Sequence, residues 1–313
     1  MTATMRAIER RLADDRTVLL DGATGTELQR RGAPMDDAAW CALANATHPD
    51  LLRTIHEDYI RAGSDVITAN TFASARHLMA HAGHGDRTRE LLRRAVEIAR
   101  EAVARTATRP VAVAGSLSTM RPVGKGSDQR DLGVDLARIP WRANLREAAE
   151  TIAEAGADLL LLEMISDVEH GMLALEAARA TGLPVWVGLS AKRRGDRLVS
   201  YRDDGPDFAT LLDHWRAQPI QALGIMHTSL PDTEEALDLL QSQISLPVIA
   251  YPEAGYFKAP DWMFSEVDPE NFATIAASWA FRGVLVLGGC CGLGPAHIAA
   301  LARRLAGDHA AAN

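Results

Sequence analysis

The sequence predicts an α/β fold, a (β/α)₈ barrel in a single domain. Eight short apolar, β-branched runs occupy residues 17–21, 65–70, 110–116, 157–163, 184–190, 222–227, 247–251 and 283–289. Longer amphipathic stretches alternate with them from one end of the chain to the other. Runs such as residues 159–162 are apolar throughout, which suits parallel strands buried on both faces better than half-exposed antiparallel ones.

Helical patterns cover residues 87–106, 141–155, 168–180, 206–215, 233–243, 271–279 and 295–305. Pro295 fits a first helical turn, and Gly156 and Gly182 follow helix ends. An Ala-Gly-Ser/Ala-Asp pattern precedes the second and fourth runs and supplies the helix-to-strand turn of such a unit. Eight strand–helix units predict closure into a barrel. A doubly wound open sheet would have fewer strands and a glycine fingerprint, and the one candidate, Asp21-Gly-Ala-Thr-Gly-Thr26, lacks the dinucleotide-binding spacing. No Pro/Gly/Ser linker divides the chain, so one unit is expected across residues 1–313, with its core at about 17–305. Residues 120–140, the longest irregular stretch, are expected to form an active-site loop. Residues 307–313 are expected to be a frayed tail.

Composition narrows the function classes. With 47% hydrophobic and 24% charged residues, the 313-residue chain can bury a large core unaided by disulfides. A net charge of −8 with arginines scattered along helices carries no nucleic-acid footprint. No apolar run reaches the ~18 residues of a membrane span, and residues 1–15 are charged and lack a signal core. A soluble, cytoplasmic protein acting on small molecules is expected, its oligomeric state left open, homo-oligomer included. Three cysteines are too few for a disulfide framework. Cys290 and Cys291 are adjacent, which in a reducing compartment points to metal or redox chemistry.

Barrel enzymes draw their catalytic groups from the C-terminal ends of the strands. The runs end at, or lead into, Asp21, Asn70, Ser116, Glu163, Ser190, His227, Tyr251 and Cys290. Polar residues often mark strand ends for no further reason. This set, however, contains a carboxylate, an imidazole and a thiol pair. Gly288-Gly-Cys-Cys-Gly292 is the sharpest signal, because two thiols flanked by glycines suit a shared soft metal. Zinc prefers tetrahedral sulfur and nitrogen donors and keeps one position open in catalytic sites. His227 is the best-placed third ligand, since His56, His170, His214 and His297 fall on helical patterns. A buried cysteine pair without metal is the alternative.

Glu163, after four leucines, must emerge in the barrel mouth and needs a cationic or hydrogen-bonding partner. A substrate α-amino group or an arginine would serve. Asp21, with Gly22, Thr24 and the following backbone N–H groups, offers a cradle for the ends of an amino acid. The same residues also suit a tight turn with a capping threonine. Asn70 and Ser116 are candidates for polar lining. Phe72, Trp186, Tyr251 and Trp262 lie near strand ends and could face an onium cation, each with ordinary packing as its alternative.

Taken together, these residues resemble the homocysteine S-methyltransferase family. That family includes betaine– and S-methylmethionine–homocysteine methyltransferases and the homocysteine module of cobalamin-dependent methionine synthase. The resemblance spans about Val18 to Leu305 and rests on five segments in family order: Asp21-Gly-Ala-Thr-Gly-Thr-Glu-Leu-Gln29, Ala62-Gly-Ser-Asp-Val-Ile-Thr-Ala-Asn-Thr-Phe72, Leu162-Glu163, Tyr251-Pro-Glu-Ala-Gly255 and Gly288-Gly-Cys-Cys-Gly292. It implies a zinc-dependent TIM barrel that methylates homocysteine to methionine. In the family a third cysteine, in a Gly-Val-Asn-Cys motif, joins the paired cysteines on zinc. Here that stretch reads Gly224-Ile-Met-His227. Two thiolates and a neutral imidazole leave a zinc site neutral, where three thiolates leave it at −1. A weaker nucleophile, or a donor that is easier to demethylate, is the expected consequence.

The resemblance implies that a sulfonium or quaternary ammonium donor surrenders its methyl group to a metal-activated thiolate, with positioning supplying much of the rate. Asp21, Gly22–Thr26 and Glu163 would hold the amino-acid end of homocysteine. Two rival readings stand beside this one. One is a component that passes methyl from a betaine-like donor to a corrinoid protein. The other is a non-catalytic barrel that binds metal or ligand.

Overall fold

The computed structural model describes residues 1–122, 136–202 and 205–311. Its central sheet has eight parallel strands: β1 (Val18–Leu19), β2 (Val66–Ala69), β3 (Ala112–Ser118), β4 (Leu159–Ile165), β5 (Val185–Leu189), β6 (Ala222–Ser229), β7 (Val248–Glu253) and β8 (Val284–Leu287). They follow one another in the order β1-β8-β7-β6-β5-β4-β3-β2, and a parallel bridge from Leu20 to Val66 joins β1 to β2. The result is a single-domain (β/α)₈ TIM barrel. Each of the eight expected runs overlaps one of these strands. β3, β4, β6 and β7 continue about two residues beyond the ends read from the sequence.

The helices match the periodic segments, among them Thr88–Thr106, Trp141–Glu154, Val168–Ala180 and Leu230–Gln241. Their apolar stripes pack against strands that are buried on both faces, and Leu159, Leu160, Leu161 and Leu162 have no exposed surface. The last helix, Pro295–Ala311, overturns the expectation of a frayed tail as far as residue 311. Alanine and leucine are the strongest helix formers in this stretch, and Gly307 alone does not end it. The expected active-site loop falls mostly on residues 123–135, which lie outside the described residues. Two antiparallel hairpins, Ala191–Arg194 with Arg197–Ser200 and Gly255–Lys258 with Asp261–Phe264, follow β5 and β7. They were not legible as an alternation of strand and helix.

The Ala-Gly-Ser/Ala-Asp turns have a common mechanism. Gly63 (φ +116°) and Gly156 (φ +95°) end their helices in the left-handed region that glycine adopts without steric cost. Two residues later the carboxylate of Asp65 accepts a hydrogen bond from the Leu19 N–H, and that of Asp158 from the Val113 N–H, each at 2.9 Å. Each aspartate thereby registers its strand against the preceding one at the closed end of the barrel.

Two irregularities aim side chains at the open end. The β4–β5 register shifts between Leu162 and Ile165, and Met164 takes φ +56°. The β6–β7 register shifts between Met226 and Ser229, and His227 takes φ +46°. Bulges of this kind redirect a side chain beside an active site. Left-handed non-glycine residues cost about 1–3 kcal/mol each and persist only where surrounding structure imposes them. Here the well-packed strands on either side do so.

Asp21 does not reach the barrel mouth. Its carboxylate accepts hydrogen bonds from the Thr68 N–H (2.6 Å), the Thr68 hydroxyl (3.0 Å) and the Tyr251 hydroxyl (3.2 Å), so it joins the ends of β1, β2 and β7. Full burial raises its pKa from 3.8 to about 7, outweighing the Thr68 hydrogen bonds that favour the anion. Trp186 is wholly buried in the barrel wall, paired in register with Leu161 and Ala222, and faces no donor.

Two predictions follow from this packing. A Cβ on Gly224 would lie 2.0 Å from the Ile249 carbonyl oxygen, a backbone atom of β7 that cannot swing aside. Gly224→Ala is therefore expected to cost about 1–3 kcal/mol in urea unfolding. Asp21 carries a raised folded pKa, so its contribution to stability is full below pH 4 and is lost as pH rises through about 7. Asn at position 21 has no such titration and can still accept the Thr68 N–H. Between pH 5 and pH 8, the unfolding free energy of wild type should fall relative to Asp21→Asn by about 2–3 kcal/mol. Parallel stability–pH curves for the two proteins would refute the assignment.

Candidate metal and substrate site

The bulge in β6 turns His227 inward, and the tight turn after β8 presents Cys290 and Cys291 to the same point. The backbone holds the thiol pair in place from β7: Cys290 N–H donates to the Pro252 carbonyl at 2.6 Å, and Ala254 N–H donates to the Cys291 carbonyl at 2.8 Å. Cys290 Sγ lies 3.4 Å from His227 Nε2, 3.5 Å from Nδ1 and 3.8 Å from Cys291 Sγ. One donor atom from each of the three residues falls within a mutual 4.8 Å, and all three residues are buried.

Tetrahedral zinc with sulfur at 2.3 Å and nitrogen at 2.0–2.1 Å separates two sulfurs by about 3.8 Å and sulfur from nitrogen by about 3.6 Å. The distances from Cys290 match both edges. The donors thus suit a thiophilic divalent ion in chemistry and in two of their three edges, the third, Cys291 to His227, lying within 4.8 Å.

The electrostatics agree. Glu163 Oε2 lies 3.5 Å from His227 Nε2, and Glu253 Oε2 lies 3.7 Å from Nδ1. Burial pushes the His227 pKa down, but Cys290, Glu163 and Glu253 together hold it well above its ordinary value. Burial and the neighbouring Cys291 push the Cys290 thiol up well beyond its usual range, against the opposing pull of His227. For Cys291, the contact with Cys290 lowers the pKa, yet burial and the charge of Glu253 outweigh it. Two carboxylates and two thiols thus surround one imidazole. Such a cluster attracts positive charge, and the thiols ionise only when it is supplied.

A narrow cavity of about 40 Å³ opens beside the cluster. Thr24, Trp40, Cys41, Asn70, Phe72, Ser116, Glu163, Tyr251 and the three donors line it. Among the described residues Glu163 finds His227, and no arginine, within ion-pair distance. Thr24 opens the helix Thr24–Arg30, whose first N–H groups have no acceptor within the helix. Gly22 gives its carbonyl to the Tyr251 hydroxyl at 3.2 Å. Gly25 is forced by packing, since a Cβ there would lie 2.5 Å from the Trp40 indole.

The other sequence candidates divide. Asn70 lines the cavity, but its amide is engaged: Nδ2 donates to the Cys41 carbonyl and Asn45 Oδ1, and Oδ1 accepts from the Cys41 thiol. Ser116 Oγ is buried without a hydrogen-bond partner on the cavity wall. Phe72 stacks on His227 with ring centroids 5.3 Å apart. Tyr251 lines the cavity between Asp21 and Cys290. Trp262 turns away, donating its indole N–H to the Ala254 carbonyl beneath the second hairpin. The tryptophan that does line the cavity is Trp40, which the sequence did not flag. It packs edge-on against Phe72 at 6.2 Å. Its place, in a tight turn after Asp36, has no periodic signature. Glu253 was also missed, although it sits within the Tyr251-Pro-Glu-Ala-Gly255 segment.

Comparison with known proteins agrees with this geometry. Residues 18–305 match the family model for homocysteine S-methyltransferase. Homocysteine S-methyltransferase of Escherichia coli is 31% identical over 304 residues, covering 92% of this chain and 94% of that protein. Selenocysteine Se-methyltransferase of Brassica oleracea is 28% identical, covering 92% and 88%. The metallated crystal form of the E. coli homocysteine methyltransferase MmuM superposes with a TM-score of 0.75 at 28% identity, over 96% of this chain and 99% of that one. Its apo form gives 0.67 over 94% and 98%. No helix among the described residues is long and apolar enough to cross a membrane. With a family model spanning nearly all of its length and a metal-competent thiol–imidazole cluster where the barrel opens, the chain belongs to the homocysteine S-methyltransferase family and is a methyltransferase.

Proposed function

We propose that the protein is a zinc-dependent enzyme that moves a methyl group from a small sulfonium or quaternary ammonium donor to the thiol of homocysteine, giving methionine. The observation that carries this reading is the convergence of His227, Cys290 and Cys291 within 4.8 Å at the C-terminal end of the barrel. Those three residues would hold the ion. When bound, zinc supplies a Lewis acid that lowers the pKa of a substrate thiol and leaves a nucleophile at neutral pH.

The chain's own residues do the rest. Glu163 places a buried carboxylate on the cavity wall, where the α-ammonium of an amino acid meets opposite charge. The first turn of helix Thr24–Arg30 presents N–H donors to its carboxylate. Asp21 braces the helix start from behind, through Thr68, whose carbonyl accepts from the Thr24 hydroxyl, and through Tyr251, which donates to the Gly22 carbonyl. Trp40, Phe72 and Tyr251 give the donor cation aromatic faces, each worth about 0.5–2 kcal/mol. Transfer then balances without a further reagent. A sulfur–carbon bond forms in line as the methyl–onium bond breaks, the donor leaves one unit less positive, and the thiol proton passes to solvent. Orientation accounts for much of the rate.

The reading is tested by measuring zinc content and homocysteine binding in wild type and in His227→Ala. Wild type should carry about one zinc per chain and form methionine from S-methylmethionine or betaine, whereas the variant should lose most of both. A wild type free of zinc, or a variant that keeps its metal and its thiol affinity, would overturn it.

A further inference from the structure

His227 is the unusual member of the donor set, because an imidazole has a second nitrogen whose bonding fixes which atom is free for a metal. Glu163 and Glu253 flank the two ring nitrogens, yet only Glu163 lines the cavity with the cysteines. Glu253 is absent from that lining and buried, with its carboxylate 3.7 Å from Nδ1, within ion-pair reach and just beyond hydrogen-bond length.

Its position is indexed to the thiol pair by the backbone. The residue before it, Pro252, accepts from Cys290 N–H, and the residue after it, Ala254, donates to the Cys291 carbonyl. β7 pairs Glu253 with Ser229, just beyond the bulge that turns His227 inward. The carboxylate, the imidazole and both thiols are therefore fixed by one set of strand-end hydrogen bonds. Among the described residues, no arginine or lysine forms an ion pair with Glu253, so the imidazole is its charged neighbour.

We propose that Glu253 is a positioning residue for the metal centre: its carboxylate holds the Nδ1–H of His227, which leaves Nε2 to ligate on the cavity side. The proposal rests on the metal reading given above. A carboxylate behind a ligating imidazole selects the tautomer, fixes the ring plane and makes the ring a stronger donor. It also adds negative charge to a donor set of two thiolates and a neutral ring, which by itself only balances a divalent ion. Glu253 touches neither substrate nor methyl group. It acts through His227.

The test titrates zinc into metal-stripped full-length protein against a chromophoric chelator, with folding checked by circular dichroism. Wild type, Glu253→Gln and Glu253→Asp are compared, and Glu253→Gln is repeated in a His227→Cys background that has no second ring nitrogen. Glu253→Gln should weaken zinc binding about ten- to a hundredfold in wild type, and Glu253→Asp should restore part of the loss. In the His227→Cys background the same change should cause a clearly smaller loss, because the carboxylate's charge still acts there but no N–H remains for it to hold. Nitrogen-15 spectra of zinc-loaded protein supply a second readout that is independent of that background. The Nδ1 proton should lie far downfield in wild type and move upfield in Glu253→Gln. Equal losses in both backgrounds, unchanged affinity, or an unmoved Nδ1 proton would overturn the proposal. A wild type that takes up no zinc would instead overturn the metal reading itself.

Discussion

The site depends on confinement of negative donors around one point. Two carboxylates and two thiols converge on a single imidazole in a buried volume. Burying such a cluster uncompensated is costly, since each ionised group needs an opposite charge or a proton. In the protein without metal, protons on the thiols and on His227 meet that need. A divalent cation meets it better, because it lets both thiols ionise and the ring become neutral. Metal affinity and the pKa values of the cluster are thus one property seen from two sides.

Such convergence has to be imposed by the scaffold. Eight twisted parallel strands bring their C-terminal ends together, but a regular strand alternates its side chains and would send some of them into the wall. The bulges at Met164 and His227 break that alternation where it matters. Gly188 contributes from β5: a Cβ there would lie 2.0 Å from the Met226 side chain, so the absent side chain is what allows Met226 to fill the wall beside His227. The local strain is offset by interlocked packing on both sides of the sheet, as expected of functional positions in a rigid fold.

The barrel was legible in the sequence because its signals are periodic. Eight apolar runs, the glycine-ended helices and the Ala-Gly-Ser/Ala-Asp turns each repeat a local rule. Cys290, Cys291, His227 and Glu163 were legible because residues of that chemistry end their strands. What sequence could not supply was direction. Asp21 and Glu163 both follow an apolar run, yet one is folded behind Thr68 and the other faces the cavity. Trp186 and Trp262 share the composition of a cation-binding wall but are committed to the barrel wall and to the Ala254 carbonyl. Trp40 and Glu253 matter through partners 32 and 26 residues away in the chain, Phe72 and His227. No spacing rule encodes such pairs.

The size of the cavity decides how the site divides its work. About 40 Å³ holds a sulfur with its methyl group, whereas pockets that enclose a whole small-molecule ligand run to roughly 300–1,000 Å³. The inner space can therefore serve only the reacting atoms. Thr24 and Glu163, proposed above to hold the amino-acid end, line this same narrow space. Phe72 joins the parts of the lining, packed edge-on against Trp40 and stacked on His227. An imidazole at position 227 sets the charge at the inner end and also meets the aromatic wall, because Phe72 stacks on it. Under the proposed function, a change at His227 would therefore act on the metal centre and on the aromatic wall together.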